Sequence, residues 1–139
     1  MQTKESPEAP APEEMLARAE AAVAALRDAY RMQLAEDVER LFTLWEELQA
    51  GLSMADFLKR VHEVAHDVKG QGGSFGYGLA TDIGASLCAH ARGEEGASSA
   101  PNILHLHFRM LRAVSQRDLA GDGGESGNRF RAKLAQLKA

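Results

Sequence analysis

The sequence predicts an all-α fold: an antiparallel four-helix bundle with additional helical segments at its N- and C-terminal ends. Three features lead there. Apolar residues recur at spacings of three and four along most of the 139 residues, the period of an amphipathic helix. No stretch alternates apolar and polar positions with β-branched residues, as a half-buried strand would. Ala and Leu dominate while aromatics make up only 6%, a balance that favours helices over sheets. No internal repeat is visible, and no heptad run is long enough to predict a coiled coil.

The elements follow in order. Residues 1–12 hold Pro7, Pro10 and Pro12 with Glu5 and Glu8 and almost nothing large and apolar, which reads as a disordered, solvated tail. The bundle domain is expected over 13–120. From Glu13, the residues Leu16, Val23, Leu26, Tyr30 and Leu34 form one periodic stripe. It continues through Val38, Leu41, Trp45 and Leu48 and stops at Gly51, a good helix-ending residue. That run is long for one helix, so a break is expected near Ala35–Asp37.

Ser53 is an N-cap candidate for the next helix, with Asp56 in its first turn, where a carboxylate suits the helix dipole. This helix carries Phe57, Val61, Val64 and Val68. A further periodic segment runs from about Gly78 to Ala91 on Leu79, Ile83 and Leu87. Gly93–Ser99 reads as a loop. Pro101 suits a helix first turn, and Ile103, Leu106, His107, Met110, Leu111 and Val114 give the next stripe. In the final segment, 121–139, the run Gly121–Gly127 reads as a flexible connector. Phe130, Leu134 and Leu137 mark a short last helix, basic at Lys133 and Lys138.

Composition excludes several classes. Hydrophobic residues are 45% and charged residues 26%, ordinary for a globular chain of one domain. The net charge of -4 argues against nucleic acid, whose phosphates demand clustered Lys and Arg. Cys88 is the single cysteine, so an intramolecular disulfide is impossible and a buried apolar filler is the expected role. No apolar run approaches a membrane span, and Met1-Gln2-Thr3-Lys4-Glu5 lacks the pattern of a signal peptide. A cytoplasmic protein without membrane contact is expected, most simply a monomer.

The chemistry concentrates in His66-Asp67-Val68-Lys69-Gly70-Gln71-Gly72-Gly73-Ser74-Phe75-Gly76. A helix turns about 100° per residue, so with Phe57 at zero, Val61, Val64, Val68 and Phe75 all fall within about 40° of one another's mean direction, the core face. His66 falls at about 180°, Lys69 at about 120°, Gly70 at about 220° and Gly73 at about 160°. The imidazole therefore points away from the face that must be buried. Glycine inside a helix costs up to about 1 kcal/mol relative to alanine. The cluster Gly70, Gly72, Gly73 and Gly76 therefore implies either a helix that ends at Lys69 or a face kept bare for another surface.

Lys69, one turn after His66, is its neighbour on that face. An ammonium beside an imidazole repels a metal cation. It suits a phosphoryl group, whose oxygens want a positive partner while a neutral imidazole nitrogen attacks phosphorus.

These residues resemble the signature of the histidine-containing phosphotransfer (HPt) domain family, H-x-x-K-G followed by small residues and a further glycine. It stands here as His66, Lys69, Gly70, Gly73 and Gly76. The resemblance extends over about Glu13–Val114 in helix order and spacing, and Leu104–Val114 looks like the closing helix of bacterial stand-alone members. It implies that His66 is the phosphorylated nucleophile, that Lys69 neutralises phosphoryl oxygens, and that Gly70 and Gly73 give clearance for the docking partner. Gly76, and His62 as a polar surface residue beside the active histidine, are read as further parts of that docking surface. It also implies receiver domains of response regulators or hybrid kinases as partners. The chain itself would need no cofactor, because the Mg2+ and the aspartate would be the receiver's. No nucleotide-binding glycine loop is present, so no autokinase activity is expected.

Two other readings compete. His62-Glu63-Val64-Ala65-His66 spells H-E-x-x-H, the pattern of zinc hydrolases. A third ligand does not follow in register, since Gly70 occupies the next turn and His90, His105 and His107 lie on other predicted helices. A helical interaction module that is never phosphorylated is the third reading. His90 and His107 fall near apolar stripes and read as partly buried, hydrogen-bonded residues. Arg109 and Arg112 read as a solvated face and Trp45 as core. Phe75 and Tyr77 are candidates for the border of the docking surface, although Phe75 shares the core azimuth. Asp67 and Gln71 flank the site.

Overall fold

The computed structural model describes residues 10–138. All secondary structure among these residues is helical: α1 Pro12–Gln49, α2 Met54–Gly72, α3 Gly78–Arg92, α4 Pro101–Arg117 and α5 Gly124–Leu137, with a single 3-10 turn at Gly73–Phe75 after α2. No helix among the described residues is long and apolar enough to cross a membrane. Of the expected N-terminal tail, residues 1–9 lie outside the described residues, while Pro12 already occupies the first turn of α1 with Glu13 and Glu14 beside it. Proline needs no N–H there, and acidic side chains complement the positive end of the helix dipole.

α1 is a single helix of 38 residues, so the break expected near Ala35–Asp37 does not occur. The segment contains no Gly or Pro to interrupt the hydrogen-bond ladder. Asp37, the one polar residue turned inward there, is satisfied by its helical neighbours. It accepts hydrogen bonds from Gln33 Nε2 at 3.1 Å and from Arg40 at 3.3 Å, four residues before and three after, which share its face.

The start of α2 matches expectation: Ser53 Oγ accepts the Asp56 backbone N–H at 3.1 Å. Its inward face is Phe57, Val61, Val64, Ala65 and Val68. The core combines this face with Tyr30, Leu34, Val38, Leu41 and Leu44 of α1, Leu79, Ile83 and Leu87 of α3, and Leu104, Phe108, Leu111 and Val114 of α4. Leu104, Phe108, Leu111 and Val114 of α4 are all at 0% exposure, whereas Ile103 and Leu106 of the expected stripe are only half-buried.

α2 and α3 make the most extensive contact; α1 packs on α2 and α4, and α3 on α4. Two glycines set the α2–α3 distance. A Cβ at Gly84 would stand 2.9 Å from the Lys69 backbone nitrogen, and one at Gly72 would stand 2.9 Å from the Tyr77 carbonyl. Both are closer than side chains can approach backbone, so only glycine allows this separation.

The turn between α2 and α3 is tied to the segment after α4. Gly76, in the left-handed region at φ 81°, accepts from Gly121 N–H at 2.6 Å, and Leu79 N–H donates to the Gly121 carbonyl at 3.0 Å. Tyr77 O–H donates to Asp118. Tyr77 is 2% exposed, a core residue rather than part of the surface around His66: its ring packs on Tyr30, with centroids 4.9 Å apart.

The expected connector Gly121–Gly127 is shorter than its composition suggested. Helix α5 begins at Gly124, and Ser126 and Gly127 are buried. Ser126 accepts from Arg117 at 3.2 Å, and Arg131 donates to Asp82 of α3 and to the Asp122 carbonyl, both at 2.8 Å. These ties, the one to Asp82 spanning 49 residues of chain, hold a glycine-rich start that has little helical propensity of its own.

Candidate functional site

The site is built on the outward face of α2. His66 is exposed, as are Lys69, Gly70 and Gly73, while His62 is half-buried. Val61, Val64, Ala65 and Val68, one or two positions away, are buried. That division follows from the helical period, which turns each residue about 100° from the last and sets His66 about 180° from Phe57 and the valine stripe. α2 continues through Gly72 and passes directly into the 3-10 turn, so the alternative that it ends at Lys69 is not realised.

The glycines divide into two groups. A Cβ at Gly70 would meet nothing within 4 Å, and one at Gly73 only Thr81 Oγ1 at 3.8 Å. The surface beside His66 is thus open to solvent. Gly72 faces α3 and Gly76 forms the left-handed turn, so their role is in packing and chain direction. The azimuth of Gly72, about 60° from Phe57 on the same helical count, already places it toward the core, and that was the signal available in the sequence. For Gly84 the signal was its place beside Ile83 in an apolar stripe.

His62 and His66 stand side by side, ring centroids 6.2 Å apart. Partial burial, the nearby Arg92 guanidinium and His66 itself hold the His62 pKa below its ordinary value. Arg92 is a cation that the linear motif does not reveal. It closes α3 and comes near His62 only because α3 packs along α2. Lys69 and Arg92 both act on Cys88, but burial dominates and pushes that thiol up, as expected for an inert filler.

On the α1 side, Gln71 and Phe75 line a groove of about 400 Å³ with Leu26, Ala29, Tyr30 and Gln33. Phe75 stacks on Tyr30, centroids 5.4 Å apart. The neighbouring Asp37 is 2% exposed. Its burial raises the carboxyl pKa, opposed by the Gln33 hydrogen bond and Arg40, while Asp67 of the site adds to the rise. Asp37 falls three residues after Leu34 and four before Leu41, on the buried azimuth of α1, and that spacing was the signal available in the sequence for its burial.

The zinc pattern gains no partner from the tertiary fold. Among the described residues no group of three or more His, Cys, Asp or Glu side chains converges to hold a metal. His90 and His107 are on the far side of α3, fully buried at 0% exposure, rather than partly buried as expected. His107 Nδ1 donates to the Ile103 carbonyl at 2.7 Å, leaving Nε2 to accept the Ser86 hydroxyl at 2.8 Å. His90 Nδ1 donates to the Ser98 carbonyl at 2.7 Å. His105 packs on Trp45 with centroids 4.3 Å apart. Trp45 is half-buried against the core, and Arg112 of the expected solvated face lies over the Phe42 ring at 3.6 Å, a cation–π contact.

No family model matches the chain, and no curated protein or solved structure shows significant similarity to it.

Proposed function

We propose that the chain is a histidine phosphotransfer protein of a two-component phosphorelay, with His66 as the phosphoryl carrier. One observation carries this reading above the others: His66 projects from the middle of α2, opposite a fully buried valine face, with Lys69 one turn on and open surface over Gly70 and Gly73. A histidine retained for packing would lie with the valines, and a metal ligand would need company that His62 alone does not supply.

In the proposed step a neutral His66 nitrogen attacks the phosphorus of an aspartyl phosphate on a receiver domain. The N–P bond forms as the P–O bond to the aspartyl carboxylate breaks, and the carboxylate leaves with the electron pair. The second ring nitrogen stays protonated until solvent takes that proton. Lys69 neutralises the phosphoryl oxygens, and the metal ion belongs to the receiver. Catalysis here is mainly positioning and charge stabilisation. The second half-reaction is the reverse, onto another receiver. The reading carries its own architecture: the C-terminal half of α1 with α2, α3 and α4 as an antiparallel four-helix bundle, in a cytoplasmic setting.

The test is incubation with phosphorylated receiver domains and mapping of any acid-labile label. Wild type takes label on His66, and His66→Gln takes none while keeping its circular dichroism spectrum. Lys69→Ala slows transfer at least about tenfold. Label retained by His66→Gln overturns the proposal. Stoichiometric zinc in the purified protein would favour hydrolase chemistry instead.

A further inference from the structure

The first half of α1 packs against nothing among the described residues. From Ala11 through Ala29 no residue is buried, whereas Tyr30, Leu34, Asp37, Val38, Leu41 and Leu44 in the second half are. Yet the apolar stripe does not stop. Leu16, Ala19, Val23 and Leu26 continue the azimuth of Tyr30 to within about 40°, and Leu16, Val23 and Leu26 are 55–60% exposed. A stripe buried in one half of a helix and bare in the other lacks a partner in its bare half.

The positions 16, 19, 23 and 26 are spaced three, four and three, the a/d seam of a two-heptad coiled coil. Residues 12–29 span about 27 Å at 1.5 Å per residue. Where this overhang leaves the helical core, a groove of about 530 Å³ opens between α1 and the loop after α4, lined by Val23, Arg27, Arg31, Tyr77 and Asp118 among others. The groove continues the seam.

The charges select the occupant. Glu13 and Glu14 lie at the free end of the overhang, and Arg27 and Arg31 lie at the end that meets the core. Arg31 contacts Asp118 at 3.3 Å and is the more committed of the two. A second copy running antiparallel would bring the partner's Glu13 to Arg27 at both ends of the seam, with Leu16 against the partner's Leu26 and Ala19 against the partner's Val23. A parallel copy would instead set Glu20 beside the partner's Met15 and Arg27 beside the partner's Ala22, so no opposite charges would pair along the seam. The antiparallel register has one unfavourable pair, Glu20 with the partner's Glu20 across the two-fold axis. That pair is exposed and is outnumbered by two favourable ones. Exposed pairs contribute little to affinity but fix orientation.

We propose that residues 12–29 form an isologous, antiparallel dimer interface with a second copy of this chain. Each overhang would fill the groove at the other subunit's core, in place of the monomer that composition suggested. Leu16, Ala19 and Val23 do not line the groove that Leu26 shares with Gln71 and Phe75, and the seam lies on α1 rather than on the outward face of α2, so each subunit would keep its own His66 surface.

Sedimentation equilibrium at about 100 µM decides the matter. The wild type is expected to be a dimer. Val23→Asp and Leu26→Asp, both at exposed positions, are expected to weaken dimerisation at least about a hundredfold, since each buries an unpaired carboxylate. Circular dichroism of both variants, and phosphoryl uptake on His66 by Val23→Asp, should be unchanged, which separates this proposal from the assignment of His66. The double reversal Glu13→Arg with Glu14→Arg should weaken self-association, and mixing it with Arg27→Glu should restore a heterodimer. Mixing Ala19→Cys and Val23→Cys proteins should give the mixed disulfide in preference to either like pair. A monomeric wild type overturns the proposal. So does a dimer unaffected by Leu26→Asp, or a preference for the like Val23→Cys disulfide, which marks a parallel pair. Loss of receiver binding in a Val23→Asp protein whose parent is monomeric would assign the face to the receiver instead.

Discussion

His66 and His107 show how two identical side chains acquire opposite chemistry from their surroundings. His66 stands in water on α2. His107 is fully buried, its pKa pushed down to about 4, chiefly by burial, with the Ile103 carbonyl opposing and His90 adding to the fall. A histidine whose folded pKa lies below its unfolded value of 6.5 binds its proton preferentially in the unfolded state. Stability should therefore fall as pH drops from about 6.5 toward about 4, by about 2 kcal/mol from this group at pH 5. Urea midpoints between pH 7 and pH 5 measure that loss, and the slope should flatten in His107→Gln after correction for its lower starting stability. The same count of periods that exposes His66 in the sequence placed His107 near an apolar stripe. Its complete burial depended on α3 supplying Ser86 to satisfy Nε2, a contact across 21 residues of chain.

Between α2 and α3, glycines with different duties sit a few residues apart. Gly84→Ala would press a methyl group to 2.9 Å from the Lys69 backbone, and the helices would have to separate. A loss of about 1–3 kcal/mol in chemical denaturation is expected. Gly70→Ala meets nothing within 4 Å and removes a poor helix former, so stability should rise by up to about 1 kcal/mol. Under the phosphotransfer reading the same change should slow transfer from a receiver, because the added methyl group stands on the surface kept open for docking. A Gly70→Ala protein that is more stable and equally fast would remove docking clearance as the reason for that glycine. At this scale the sequence was partly legible. Cap, period and turn residues located α2 and α3 well. The division of the glycines was legible only through azimuth, which turned Gly72 toward the core; the glycine run itself lowers helix propensity whether it faces solvent or a neighbouring helix.

For the molecule as a whole, α5 illustrates how tertiary ties overrule composition. Gly121–Gly127 has the residues of a flexible linker, yet α5 starts inside it, held by Arg131 to Asp82 and Asp122 and by Arg117 to Ser126. Leu134 is 8% exposed and is the main apolar anchor. Leu134→Ala should lower stability by about 2 kcal/mol. Phosphoryl uptake by His66 should not change, since α5 packs on α3 and away from the outward face of α2. Equal loss of uptake and stability would mean that α5 supports the site as well as the fold. α1 is the reverse case: its first half has every sign of a packed helix and no packing partner within the described residues.

Helix periodicity by itself determined that the chain is all-helical, which face of α2 is buried, and that His66 must stand outside it. Those are local properties, readable because the hydrophobic effect imposes the period of the helix on the order of residues. Only the tertiary structure decided that Tyr77 is core, that Arg92 approaches His62, and that Ser86 meets the buried His107 ring. Each depends on which surface a distant segment brings up, and a sequence of short-range spacings holds no record of that distance.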